Sequence, residues 1–298
     1  MMHTCVTLIG PVSNDIVRIV GQPDRHQPGG AVFYAGMALR ALEVPVRIIT
    51  RAALADAQAL LAPLRQAGAD AANLPTQETT RFINIYGPDT NERRQEVSAR
   101  ADPFTPADAA GLSTQWVYIA PLLEGDIPAP LILEIAGRGA HRIALDAQGM
   151  VRRAIDGKVI PCSWPENHEV LPHIDILKAD AEEAFLLTGQ ADPEMAARIL
   201  CGRGVDHALV TLGEAGAVLC HRGALIRQAV FRPANGGWPV VDTTGCGDTF
   251  LAAYLAAIIG GETMPVAGRF AAVAAAMKQT DYGPLRADAQ HIRRLSET

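Results

Sequence analysis

The stretch Val240-Val-Asp-Thr-Thr-Gly-Cys-Gly-Asp-Thr-Phe250 stands between a Gly/Pro-rich loop, Pro233-Ala-Asn-Gly-Gly-Trp-Pro239, and the apolar run LAAYLAAIIGG at 251–261. That run predicts a helix, and a helix N-terminus presents about four unpaired N–H groups and about half a positive charge. It is an anion site before any side chain is chosen. Gly245 and Gly247 let such a backbone close on a ligand without side-chain obstruction. Asp248 is harder to place, because a carboxylate there competes with a bound anion unless it faces a different atom. Taken alone, the pattern serves equally well as a turn followed by a helix cap.

A hydroxyl about to be phosphorylated is such a different atom. Phosphoryl transfer needs charge stabilisation around the moving group and a positioned acceptor for the hydroxyl proton, and its loose transition state makes a strong base unnecessary. An aspartate at a positive helix end, with its pKa if anything depressed, meets that need.

Outward from this stretch, short β-branched runs alternate with Ala/Leu-rich segments of helical period. VTLIG (6–10), VRIIT (46–50), WVYIA (116–120), HRIALD (141–146), HIDILKAD (173–180) and HALVTLG (207–213) read as strands. AVFYAGMALRAL (31–42), ADAQALLAPLRQAG (55–68), APLILEIAGRG (129–139) and ADPEMAARIL (191–200) read as helices. Parallel strands need a crossover, so the alternation predicts an α/β layered fold with helices on both faces. Two segments break the rhythm. TTRFINIY (79–86) alternates apolar and polar residues and leads into the charged GPDTNERRQEV, so it predicts half-exposed antiparallel strands, a small sheet or lid. GAVLCHRGALIRQAVF (216–231) predicts a hairpin turning at HRG.

Composition narrows the function classes. The chain has 298 residues, 49% of them hydrophobic and 19% charged, enough to bury a large core as one domain across 1–298. Its net charge of −6 comes with scattered basic residues, which argues against nucleic acid or an anionic membrane as partner. Five cysteines, Cys5, Cys162, Cys201, Cys220 and Cys246, form no CxxC pair, as expected of free thiols in a reducing compartment. The N-terminus has no basic leader, and the longest apolar run, 250–261, falls short of the roughly 20 residues that span a bilayer. A cytoplasmic location is expected. In HEVLPH (168–173) the histidines are five apart and Pro172 interrupts the helix, so a zinc-protease site is set aside. Neither GxxxxGK[ST] nor GxSxG occurs.

VDTTGCGDTF resembles the DTxGAGD signature of the ribokinase-like carbohydrate kinases, the PfkB family, with Cys246 where alanine is usual. LIGPVSNDIV resembles the family's first strand and its substrate-contacting acid, and PGGAVFYAGMALRAL its Gly-Gly motif. ILKADAEEAFLLTG resembles the NxxE region, VTLGEAG the nucleotide segment, and RFAAVAAAMKQTDYG the last core helix. These matches run in order over nearly the whole chain.

The resemblance implies a ribokinase-like three-layer α/β/α fold with a mostly parallel central sheet and a β lid contributed by about 11–35 and 79–100. It makes Asp248 the catalytic base and Gly245, Cys246 and Gly247 the anion hole. ATP contact falls to Lys178, Asp180, Thr211, Gly213 and Gly216, and substrate contact to Asp15, Gly29 and Gly30. Glu183 organises magnesium through water, and Asp242 with Thr244 forms a monovalent-cation loop of the kind that takes potassium. One departure is Asp180, where the family carries asparagine; 180–183 also reads as an N-cap with first-turn acids. ALDAQGMVRR (144–153), with LPHIDILKADAEEA and TTRFINIY, is closer to the myo-inositol kinase branch, which makes Gln148, Arg152 and Asn84 substrate candidates.

The implied activity is ATP-dependent phosphorylation of a small polyhydroxylated compound, a sugar or cyclitol. Two alternatives stay open: a nucleoside kinase of the same fold, with Phe33, Tyr34 and Phe82 as a base platform, and a catalytically silent nucleotide-binding regulator. Lid sheets in relatives often form dimers, so a homodimer through the lid is implied. Cys246, a thiol at a helix N-terminus, reads either as a reactive group or as a small packing residue, with packing the simpler role.

Overall fold

In the strand Trp116-Val-Tyr-Ile119, Trp116 and Tyr118 belong to one hydrophobic cluster while Val117 and Ile119 belong to another. Successive strand side chains point to opposite faces, so a strand buried throughout feeds two cores at once. The computed structural model describes residues 6–19, 21–86, 93–233 and 237–297. Cys5, residues 87–92 of the charged stretch and residues 234–236 of the Gly/Pro-rich stretch lie outside them.

The central sheet has nine strands. β1 (Val6–Ile9) lies between β4 (Val46–Ala53) and β8 (Trp116–Ile119), parallel to both, and β5 (Asp70–Thr76) follows β4 at one edge. Beyond β8 come β9 (Arg142–Asp146), β12 (Ile176–Asp180) and β13 (His207–Thr211), all parallel. The antiparallel strands β14 (Ala217–His221) and β15 (Ala224–Gln228) close the other edge. They form the hairpin expected around HRG, and its two-residue turn places Arg222 and Gly223 at positive φ, as a type I′ turn requires.

One core holds side chains from helices α1 (Ala31–Ala41), α2 (Leu54–Gln66), α7 (Cys246–Ile259) and α8 (Met264–Lys278). The other holds those of α3 (Ala129–Gly137), α5 (Ala181–Thr188) and α6 (Pro193–Gly202). The short α4 (Asn167–Val170) carries the HEVLPH segment, and α9 (Ala289–Ser296) ends the described chain. α7 buries Leu251, Ala252, Ala253, Tyr254 and Leu255 in succession, so it is apolar all round and packed on every side. Truncating Leu251 to Ala would cost about 2–5 kcal/mol. The three-layer α/β/α architecture with a mostly parallel sheet is thus present.

A second sheet has six strands in the order β10-β11-β7-β6-β2-β3. It comprises β2 (Ser13–Ile19), β3 (Arg25–Gly29), β6 (Arg81–Tyr86), β7 (Arg93–Ala99), β10 (Arg152–Ile155) and β11 (Lys158–Pro161). β6 is antiparallel to β7, as its alternation suggested, but parallel to β2. Residues 31–35 belong to α1 rather than to this sheet. The β10–β11 hairpin is an addition, turned by Asp156-Gly157 with φ of 49° and 76°. Only Gly10, Pro11 and Val12 separate β2 from the carboxyl end of β1, so the second sheet springs from the edge where ligands of parallel sheets bind.

Candidate active site

The carboxyl ends of β9, β12 and β13 deliver Asp146, Asp180 and Thr211 toward the N-terminus of α7. Gly245 is the N-cap at φ 81°, and a Cβ there would collide with the Tyr34 ring, so both conformation and space demand glycine. A Cβ on Gly247 would come within 3.2 Å of Lys178 Nζ. The Cys246 amide donates to Thr243 O at 3.2 Å, so the turn uses one amide of the expected anion hole for its own closure. Asp248 follows in the first turn, and because Gly245 is the cap, no side chain caps this helix. The cap reading of Asp248 is therefore corrected: the carboxylate performs no capping.

The charges around this turn are concentrated. Lys178 Nζ lies 3.4 Å from Asp146 Oδ1 and 3.6 Å from Glu183 Oε2, all three side chains buried. Burial would push the lysine pKa down, but Asp146, Glu183 and Asp248 hold it well above its ordinary value. Glu183 Oε2 accepts from Asp180 N–H at 2.7 Å while Asp180 Oδ1 accepts from Glu183 N–H at 2.8 Å, a reciprocal capping box. Burial, offset by Lys178 and reinforced by Asp146 and Asp180, brings the Glu183 carboxyl to about 7.

Asp248 keeps a partial opening to the cleft, yet protein crowds its carboxyl. That burial, with Asp146 adding to it and Lys178, Arg152 and Lys278 opposing, raises it to about 7. The depressed value expected from the helix end is corrected, because burial first and then Asp146 raise the group. Tyr118 lies under the same acids; its hydroxyl is buried with no hydrogen-bond partner among the described residues. Burial, then Asp146 and Asp248, raises its pKa.

On one side of the turn opens a cavity of about 480 Å³. Thr211, Gly213, Gly216, Cys246 and Gly247 share its wall, which brings together five of the residues expected at the donor. Ala217, Val230, Phe231, Trp238, Ala272 and Ala276 make the remainder largely apolar, with the Phe231 and Trp238 rings 5.5 Å apart. Gly216 lies at φ 90°, and a Cβ there would strike Gln228 O. Lys178 and Asp180 lie behind the turn rather than on this wall. The Cys246 thiol is pushed up to about 11, chiefly by burial, which makes it a packing group and not a nucleophile.

On the other side, the lid sheet aligns Ser13, Asp15 and Val17 of β2 with Phe82 and Asn84 of β6 as buried positions. A Cβ on Gly29 would collide with the Asp15 carboxylate, and Gly30 at φ 91° starts α1, so the Gly-Gly pair packs directly against the acid. Asn84 Oδ1 accepts from Gln95 Nε2 at 2.9 Å, and Gln95 Oε1 accepts from Arg152 at 3.3 Å. Arg152 also donates to Leu122 O at 2.6 Å and lies 5.5 Å over the Phe82 ring. Gln148 N–H donates to Asp146 Oδ1 at 3.0 Å. Phe33 and Tyr34 are 4% and 1% exposed and pack edge to face, so they form core rather than an open base platform. Reading the sequence missed Asp146, Tyr118, Gln95 and Lys278. Asp146 alone left a signal, as an acid at the carboxyl end of a parallel strand.

Two metals are implied by the resemblance. Glu183, Asp180 and Asp146 do not converge on one cation position: Lys178 Nζ stands 3.4 and 3.6 Å from Asp146 and Glu183, and the Asp180 and Glu183 carboxylates accept each other's backbone N–H, which leaves Glu183 a role toward a dication only through water. A monovalent cation at Asp242 and Thr244 does not fit. Asp242 Oδ1 accepts from Thr244 N–H at 2.9 Å, while Asp242 O and Oδ2 already hold the Lys278 ammonium at 2.8 and 3.2 Å.

Residues 71–289 match the pfkB family of carbohydrate kinases, and the chain belongs to that family. It is 26% identical to an inositol 3-kinase from Oryza sativa subsp. japonica over 271 residues, 85% of this chain and 63% of the relative. Two further curated relatives, 34% and 33% identical, are matched over only 36% and 39% of their length. Among solved structures, a pyrophosphate-dependent myo-inositol-1 kinase converted into a myo-inositol-3 kinase superposes with TM-score 0.86 at 28% identity, covering 98% of each chain. Arabidopsis thaliana ribokinase complexed with ribose and ATP shares the fold, with TM-score 0.80 at 22% identity over the whole of both chains. No helix among the described residues is long and apolar enough to cross a membrane.

Proposed function

We propose that this carbohydrate kinase transfers a phosphoryl group from ATP to a hydroxyl of a small polyhydroxylated compound, a sugar or a cyclitol such as myo-inositol. The observation that carries the reading is the position of Asp248. It stands in the first turn of α7, whose Cys246 and Gly247 line the apolar cavity, and it feels the charge of Arg152 from the polar lid face opposite. The acceptor hydroxyl gives its proton to the Asp248 carboxylate as its oxygen bonds to the γ-phosphorus and the bond to ADP breaks. A carboxyl near 7 suits that task at neutral pH better than an ordinary aspartate. The turn at 245–247 is the anion hole of this reading, and the Lys178 ammonium behind it adds positive charge that stabilises the developing phosphate. Glu183 would organise magnesium through water, and the ion would neutralise donor phosphate charge when bound.

The apolar cavity supports a nucleotide, because a purine fills it and inorganic pyrophosphate has no apolar part to bury. A pyrophosphate donor is the second reading, favoured by the pyrophosphate-dependent kinase of similar fold. On the acceptor side carboxamides, with the Asp15 carboxylate balanced in charge by the Arg152 guanidinium, favour an uncharged polyol. In that pyrophosphate-dependent kinase, an asparagine and a serine eleven residues apart, both changed to leucine, alter which inositol hydroxyl reacts. Asn84 and Gln95 are hydrogen-bonded to each other on the lid, which makes them candidates for setting regiochemistry here. The buried Phe33 and Tyr34 weigh against a nucleoside acceptor, and the intact Asp248 and Glu183 against a silent regulator.

The test is a matrix of ATP and pyrophosphate against cyclitols, pentoses, hexoses and nucleosides, with phosphorylated product measured directly. ATP-dependent product from a cyclitol or sugar is expected. Product from pyrophosphate alone overturns the donor reading, and product from nucleosides alone overturns the acceptor reading.

A further inference from the structure

Lys278 is the last residue of α8, and its side chain is completely buried. A buried ammonium is tolerated only where it is paired and hydrogen-bonded. Its Nζ donates to the carbonyl O and the Oδ2 of one residue, Asp242, and lies 5.8 Å from the centroid of the Tyr34 ring. Gly283 N–H approaches the same Oδ2 at 3.4 Å, Thr244 N–H takes Oδ1, and the amides of Val241 and Asp242 donate to Gln279 O. Two of the three Asp242 oxygens, the carbonyl O and Oδ2, thus meet one ammonium at the base of the turn that leads into α7. The Tyr34 ring beneath it is the ring against which Gly245 packs.

We propose that the Lys278 ammonium is a built-in monovalent cation, so that the protein works without potassium or ammonium from solution. The proposal rests on reading 242–248 as the phosphoryl-transfer site. A dissolved cation occupies its site in proportion to concentration, whereas a side chain is present at unit occupancy. It brings the same single charge to the same class of oxygens and costs only the ordering of one side chain. By fixing the Asp242 carboxylate it also fixes the Thr244 amide, and with it the entry of the chain into the Gly245 turn. Lys278 is a positioning residue in this scheme, since it acts through Asp242.

The experiment titrates KCl against choline chloride at constant ionic strength, reading both Tm and turnover. For the native protein neither reading depends on which cation is present; a potassium-specific rise in Tm or a several-fold activation overturns the proposal whatever the variants do. Lys278→Ala in choline is expected to lose turnover by about 10²-fold, since displacement by an ångström is enough for that. Potassium or ammonium at about 100 mM then raises its Tm and restores most of the turnover by filling the vacated space, as mass action requires. Lys278→Met fills the space without the charge and is not rescued. A folded Lys278→Ala that keeps native turnover in choline, or that responds to no cation, refutes the assignment. The Tm reading needs no substrate, so it separates failure of this proposal from failure of the kinase reading.

Discussion

On the donor flank of Asp248 the chain presents small and apolar side chains around a glycine turn, whereas on the acceptor flank it presents carboxamides, a carboxylate and a guanidinium held on lid strands. The donor flank is assembled from the β13–β14 connection, the stretch after β15, the turn into α7 and helix α8. The acceptor flank is a non-local product, because Asn84, Gln95 and Arg152 come from three strands joined through a second sheet. On the proposed function, the difference teaches that the two partners of one reaction would be recognised by different physics. Burial and backbone dipoles would serve the donor, while directional hydrogen bonds that cost much when left unmade would serve the acceptor.

Changes on the donor flank should therefore act on geometry, and changes on the acceptor flank on substrate choice. Gly245→Val drives a branched side chain into Tyr34 at a positive φ, and turnover should fall by about 10²-fold or more, with a lower Tm in circular-dichroism melting. Near-native turnover would mean that the turn does not position the reaction. Asn84→Leu with Gln95→Leu should raise the acceptor KM about tenfold to 10²-fold or move the phosphate to another hydroxyl, with the donor KM within about twofold of native. A shift in donor KM of the same size would erase the division between the flanks.

The pH dependence sharpens the comparison at the point where the flanks meet. Free-enzyme kcat/KM should rise with pH through an apparent pKa near 7, shared between the interacting carboxyls of Asp248 and Glu183. Stability has the opposite sign. The folded carboxyl of Asp248 lies near 7 and the ordinary one at 3.8, so this group favours the native state below 3.8, and that contribution is lost as pH rises through 7. Asp248→Asn should accordingly melt higher than native protein at pH 8 and no higher at pH 4. The smallest effect belongs to Cys246→Ala, for which turnover should stay within about twofold, because the buried thiol near 11 does no chemistry.

The parallel sheet and its helices were legible because each strand is a short apolar run and each helix a periodic one, so local pattern and global placement agree. The donor flank was legible through the glycines of 245–247 and the strand end at Thr211, where backbone conformation dictates residue type. Gln95 was not, since its role depends on facing Asn84 across a strand pair, and pairing register is invisible in a single strand. The β10–β11 hairpin could have been found, because Asp156-Gly157 is a two-residue turn signal. Lys278 gave no sign of itself. It is one lysine at the end of an Ala-rich helix, and its partner Asp242 stands 36 positions earlier. The pKa of Asp248 departs from the expectation because helix polarity can be read from order along the chain, while burial of the carboxyl and the nearby charge of Asp146 require the fold.

The claim that Asp248 accepts the proton of the acceptor hydroxyl is tested most directly by Asp248→Asn, with turnover and calorimetric donor affinity measured on the same preparation. Turnover should fall by about 10²–10⁴-fold, the range for loss of a general base, while donor affinity stays within a few-fold of native. Turnover within a few-fold of native would contradict the account, as would an equal loss of donor affinity that explains the whole effect.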